Sequence, residues 1–236
     1  MATMAQVNAA RSAQKVLSNR AKSAVRALWT DVRGSSPERV RDAFLDAMPQ
    51  IVETYGAASA EVAAEYFEQL TGYSADPSDM LNVEQIHAAV RYRAGALWGA
   101  DNREFVTGLL GNVDKFVKAF GRNTIYSNSD RNGVRYARIP SGVKTCAFCT
   151  VLASRDVLYL TRRSAGERGF GNDFHDDCDC EVTPVRDASE LPEGVDELYA
   201  VYESARDEAG SGSLKDIVYA ARRQNPGMFT DGVHEH

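Results

Sequence analysis

The first 32 residues place Val7, Ala10, Ala13, Leu17, Ala21, Val25, Leu28 and Trp29 at helical spacing, with Arg and Lys between them. That period predicts one long amphipathic helix over about 4–32. Gly34-Ser35-Ser36-Pro37 then breaks the pattern. Ser36 suits an N-cap and Pro37 the first position of a new helix. This second helix carries Val40, Phe44, Leu45, Met48, Ile51 and Val52. Pro49 predicts a kink or interruption in it, and Gly56 its end. A third helix, with Val62, Ala63, Tyr66, Phe67 and Leu70, closes at Gly72 before a turn-rich stretch over 73–82. Two further helices are predicted over 83–98 and 102–123. Tyr66, Phe67, Trp98, Phe105, Phe116 and Phe120 fall at core spacing within this half.

The pattern changes near residue 126. The polar run 127–133 (SNSDRNG) reads as a turn, and 134–140 (VRYARIP) alternates like a strand. Phe148, Val151 and Leu152 predict a short helix, and 157–160 a strand. A glycine-rich loop over 162–173 lacks any phosphate-cradling pattern. Glu181 to Thr183 reads as a closing strand ended by Pro184. Helices are predicted around 193–209 and 214–224, separated by Gly210-Ser211-Gly212-Ser213. No internal repeat is present. The expected fold is mainly α: a helical docking domain over 1–125, a small α+β zinc-stapled module over 126–186, and a short helical acidic tail over 187–236.

Charge sharpens this division. The 236-residue chain has a net charge of −6, which argues against a general nucleic-acid coat. Residues 1–48 hold eight basic and four acidic side chains, residues 122–144 five and one, and residues 186–236 five and eleven. No apolar run is long enough to span a bilayer. The first 29 residues lack the apolar core of a secretory leader, so synthesis in a reducing cytoplasm is expected. Thiols there serve as metal ligands more often than as disulfides.

All four cysteines lie in one stretch, Cys146 and Cys149 in CAFC and Cys178 and Cys180 in HDDCDC, with His175 opening the second motif. Two close pairs of soft ligands match what tetrahedral zinc requires. Either His175 with Cys178, or Cys178 with Cys180, completes a site with Cys146 and Cys149. The one-histidine set is preferred, with Cys180 behind it. Five candidate ligands suit a closed, structural Zn2+ site. A catalytic zinc would need an open position and a general base, and no HExxH is present. A redox Cys-x-x-Cys belongs to a βαβ setting that this stretch does not resemble. A Cys146/His175 nucleophile pair would leave the remaining thiols without use.

RIPSGVKTCAFCTVLASRD followed, after the glycine-rich spacer, by FHDDCDCEVTPV resembles the C-terminal domain of the phage Mu F-like head morphogenesis family, in the form found among actinobacteriophages. The resemblance covers about 134–186 in motif detail. It implies a minor capsid protein in the virion, at the portal vertex or capsid interior, acting in head assembly or DNA ejection. It implies the portal or major capsid protein as partner, and Cys146, Cys149, His175, Cys178 and Cys180 as the matching positions. Related phage proteins are also described as capsid maturation proteases. For that reading Ser154, Ser164, His87 and His175 are the nominees, and none sits in a nucleophile elbow. A third reading, weak non-specific DNA contact, would use the basic N-terminal helix with Arg131, Arg135 and Arg138.

Overall fold

The computed structural model describes residues 2–99, 102–140, 146–155, 180–191 and 195–229. Among them the chain is mainly helical. The order is α1 (Met4–Val32), α2 (Pro37–Thr71), α3 (Val83–Ala94) with a 3-10 turn over Gly95–Trp98, α4 (Arg103–Asn132), β1 (Arg135–Pro140), α5 (Ala147–Arg155), β2 (Cys180–Val185), α6 (Val195–Ala209) and α7 (Leu214–Gln224). The predicted strand over 157–160 and the loop over 162–173 lie outside the described residues. None of the described helices is long and apolar enough to cross a membrane.

Helices α1, α2 and α4 pack side by side, and α3 closes the bundle against α2 and α4. Val25, Phe44, Met48, Val52, Ile86, Val90, Phe105, Leu109, Val113 and Phe120 fill its core. Phe44 meets Phe105 edge to face, with ring centroids 5.0 Å apart. Thr3 and Gln6 form a capping box at the start of α1, and Ser36 with Pro37 starts α2 as the sequence predicts.

Three expectations are corrected here. The second and third predicted helices are one 35-residue helix. Gly56 does not end it. Gly56 lets α4 approach, because a Cβ there would stand 2.6 Å from the Phe120 ring. Pro49 does not interrupt it either. A proline cannot donate to the carbonyl four residues back, and that Leu45 carbonyl lies 2.9 Å from His87 Nε2 of α3, which donates in its place. Finally, the run 127–133 is not a turn: α4 continues to Asn132 and ends only where Gly133 takes φ +63°. Its polar side chains hold the preceding loop. Asn128 accepts from Asp76 N (2.9 Å) and donates to Asp76 O (2.8 Å), while Thr124 Oγ1 accepts from Ser78 N at 2.9 Å. The expected boundary between residues 125 and 126 thus falls inside a continuous helix.

Trp98, expected in the core, is 53% exposed, whereas the other five aromatic residues named with it are buried. The apolar stripe of α1, expected as a docking surface, is used inside the molecule. Val7, Ala21 and Val25 are buried, and so are two polar residues on the same stripe, Gln14 and Ser18. Ser18 donates to Asp114 of α4, which also pairs with Lys118 (3.0 Å) and Lys22 (3.3 Å). Gln14 Nε2 donates to Ser59 O of α2 at 2.9 Å. A polar seam therefore joins the three central helices.

β1 and β2 pair antiparallel, with Arg135 opposite Val185 and Pro140 opposite Cys180. β2 runs through Pro184 rather than ending at it. Among the described residues the sheet has only these two strands, so the N–H that Pro184 lacks leaves no further described strand unpaired. One face of the ribbon packs Ala137, Ile139 and Val185 on Val7 of α1. The tail is joined to the cysteine region. Ala147 and Val151 of α5 share a cluster with Tyr202 and Ala205 of α6 and with Ile217, Val218 and Ala221 of α7.

Candidate metal centre

β1 ends at Pro140, and the chain enters α5 through Cys146, which occupies the N-cap position. Its carbonyl accepts the first helical bond, from Thr150 N at 3.0 Å. Its sulfur accepts from the backbone N–H of Cys149 at 3.1 Å. A helix N-terminus and an N–H···S bond both favour a thiolate over a thiol, and a metal-binding Cys-x-x-Cys knuckle uses the same contact. Cys180 opens β2. Its carbonyl accepts from Arg122 Nη2 of α4 at 3.2 Å, which ties the strand to the bundle.

Cys146, Cys149 and Cys180 are buried, at 6%, 1% and 0% exposure, and no disulfide joins them. They lie in one cluster with Tyr66 and Phe67 of α2, Tyr126 of α4 and Tyr136 of β1. The Tyr126 and Tyr136 rings stand 4.9 Å apart. Tyr66 Oη is 3.1 Å from Thr183 Oγ1, and burial pushes the Tyr66 phenol well above its ordinary pKa, so it remains neutral.

Among the described residues no group of three His, Cys, Asp or Glu stands close enough to hold a metal. Cys180 therefore does not close a triad with Cys146 and Cys149, although all three share the cluster. His175 and Cys178, the other two candidate ligands, lie outside the described residues, as do Asp173, Asp176, Asp177 and Asp179. The donor set nevertheless suits zinc: two buried sulfurs on one turn, one of them held by an amide.

The protease nominees are placed differently. Ser154 is 1% exposed and donates to Thr150 O at 2.8 Å. His87 Nε2 is engaged by Leu45 O. Ser164 and His175 lie outside the described residues. Of the arginines nominated for DNA, Arg138 is 1% exposed and belongs to the interior. Arg131 pairs with Asp76 and donates to Ser74 O at 3.2 Å. Arg135 is exposed. Sequence reasoning missed Arg122, Tyr66 and Tyr126, which join the cysteine region to the bundle. Their helical spacing marks them only as interior, with no sign of which layer they meet.

The family described as VG15 protein matches residues 1–205, a span covering the bundle, the ribbon, α5 and most of α6. No curated protein matches, and no solved structure does.

Proposed function

The chain belongs to the VG15 protein family, a family of phage gene products, and on that premise we propose that it is a minor capsid protein of the Mu F-like type. In this reading it acts at the portal or the inner face of the capsid in head assembly or DNA ejection, and it is built around a structural zinc. The observation that carries this reading is the buried cysteine knuckle. Cys146 and Cys149 sit at the start of α5 with the amide-to-sulfur bond in place, in the motif on which the resemblance rests. Cys146, Cys149, His175 and Cys178 would hold the metal. Cys180, committed to β2 and to Arg122 through its backbone, supports them from behind. The zinc would cross-link β1, α5 and β2 and supply no reaction.

The surface offered to a partner is the solvent side of α1, where Lys15, Arg20 and Arg26 are exposed. Its apolar stripe is engaged in the bundle, so the partner would meet charge rather than an apolar groove. The test is co-purification with the co-encoded portal and major capsid proteins, combined with elemental analysis of protein purified reduced and without chelator. Retention on portal or capsid, lost on changing Lys15, Arg20 and Arg26 to Glu, supports the reading; zinc-free protein that binds neither partner rejects it.

A capsid protease is the weaker reading, because each described nominee is bonded to a helix carbonyl. Incubation with unprocessed major capsid protein is expected to leave that substrate intact. Weak DNA contact would fall to the same basic face of α1, and duplex binding that fades between low and physiological salt is its mark.

A further inference from the structure

Eight large apolar side chains are exposed among the described residues. Val83 and Tyr92 lie on α3 and Trp98 just after it; Tyr199 and Tyr219 lie on α6 and α7. The two places differ in charge. Beside α3 an open groove of about 430 Å³ runs between α2 and α3, with Arg41 and Leu45 on one wall and Arg91 and Trp98 on the other. Arg41 is balanced by Asp42 at 2.7 Å, but Arg91 is exposed and has no acidic partner among the described residues. Trp98 stands 53% exposed at the groove's edge. Helix α6 has the opposite character: it carries five carboxylates and one arginine, and Glu197, Tyr199 and Glu203 all face solvent.

We propose that the groove between α2 and α3 is the docking site for α6 of a second copy of this chain. Tyr199 packs on Trp98 there, and Glu203, one turn along on the same face of α6, lies toward Arg91. Each patch supplies what the other lacks: a groove with the Trp98 ring and one unbalanced arginine, Arg91, against an acidic helix that exposes Tyr199 and Glu203. Because groove and helix are different surfaces, the contact is heterologous. It propagates from copy to copy and closes into a ring or continues as a filament, according to the rotation per step.

The test is sedimentation of the full chain over a range of concentrations at about 0.05 M and 0.5 M salt. The expected result is a weight-average mass that rises with concentration at low salt and returns to the monomer value at high salt. The emission of Trp98 should shift to the blue as assembly proceeds. Arg91→Glu and Glu203→Arg should each leave monomer only, with unchanged thermal stability because both side chains are exposed. Mixing the two variants should restore association, since each retains the surface the other has lost. Tyr199→Ala should weaken assembly at least tenfold. A monomer at every concentration and salt overturns the proposal. So does association that ignores Arg91, Glu203 and Tyr199, or that survives high salt unchanged.

Discussion

The helical bundle and the cysteine region bury their side chains by different chemistry. In the bundle, α2 and α4 interdigitate Phe44, Met48, Val52, Phe105, Leu109 and Phe120, all of them fully or nearly buried. Such a core is stabilised by removing apolar surface from water and needs no other component. In the cysteine region the buried set, among the described residues, is three thiols, three tyrosines, Phe67 and three aliphatic residues, beside a two-stranded ribbon. A two-stranded ribbon is marginal by itself, and thiols add little burial energy. The difference is one of support: the bundle has its own apolar core, while the cysteine region leans on the bundle through Tyr66, Phe67 and Tyr126, and the proposed zinc would be a second support.

The largest expected effect tests that contrast. On the proposed zinc site, Cys146→Ser or Cys149→Ser would abolish metal binding and remove on the order of 10 kcal/mol of metal-linked stability from this region. The thiols share a cluster with Tyr66, Phe67 and Tyr126 of the bundle helices. The loss should therefore reach the C-terminal ends of α2 and α4 and not stop at the expected boundary at residue 125. Hydrogen exchange of the variants reads this directly. Faster exchange should extend into α2 around Tyr66 and α4 around Tyr126, with the far end near Phe44 and Phe105 protected. Exchange confined to residues beyond 133 would restore the picture of two independent units.

The next effect lies within the bundle, where the apolar rule is broken. Asp114 is 4% exposed. Burial alone would raise its pKa, but Lys118, the Ser18 hydroxyl and Lys22 outweigh burial and hold it below the ordinary carboxylate value. A depressed folded-state pKa means stability that is present above the unfolded value and lost as pH falls through the folded one. Asp114→Asn should cost about 3 kcal/mol, because it strands two lysine ammonium groups. Lys22 and Lys118 retain 16% and 13% side-chain exposure, which limits the cost by giving both access to water. Chemical denaturation at pH 7 and below pH 4 checks both parts. The variant should be the less stable at pH 7 and should lose less of its stability on acidification.

Gly56 sharpens the contrast from the packing side. Gly56→Ala improves helix propensity by about 1 kcal/mol. It also sets a Cβ against the Phe120 ring, which is 2% exposed and hemmed in. Overpacking costs about 1–3 kcal/mol, so a net loss of about 1 kcal/mol is expected. Phe120→Leu in the same chain should recover part of it by clearing the space. The cysteine region, with fewer interlocked rings, offers no site of this kind among its described residues.

Much of the helical half was legible because periodicity reports burial directly. Ser36-Pro37 marked a start and Gly72 an end. What failed did so for tertiary reasons. Gly56 reads as a breaker until Phe120 is placed over it, and the polar run 127–133 reads as a turn until the loop around Asp76 is seen bonded to Asn128. Gln14 and Ser18 interrupt the apolar stripe of α1, and their partners, Ser59 and Asp114, lie 45 and 96 residues away, where no local pattern points. At the candidate site, the cysteine pairs were legible from spacing. The attachment of that site to α2 and α4 through Tyr66 and Arg122 was not, because contacts between layers leave no local period.

The smallest effect concerns Pro49, the other residue whose local reading fails. An internal proline leaves the carbonyl four residues earlier without its helical donor, and here His87 supplies one. His87→Ala should strand a half-buried carbonyl and cost about 1 kcal/mol. The informative measurement is the double-mutant cycle with Pro49→Ala. Alanine at 49 restores an N–H that can reach Leu45 O, so His87→Ala should then cost little, and the two changes should couple by about 0.5–1 kcal/mol. A catalytic histidine would behave differently: its replacement would leave stability alone and remove an activity. Additive costs in the cycle would mean that His87 is not the carbonyl's substitute donor, and would leave the continuity of α2 through Pro49 to packing alone.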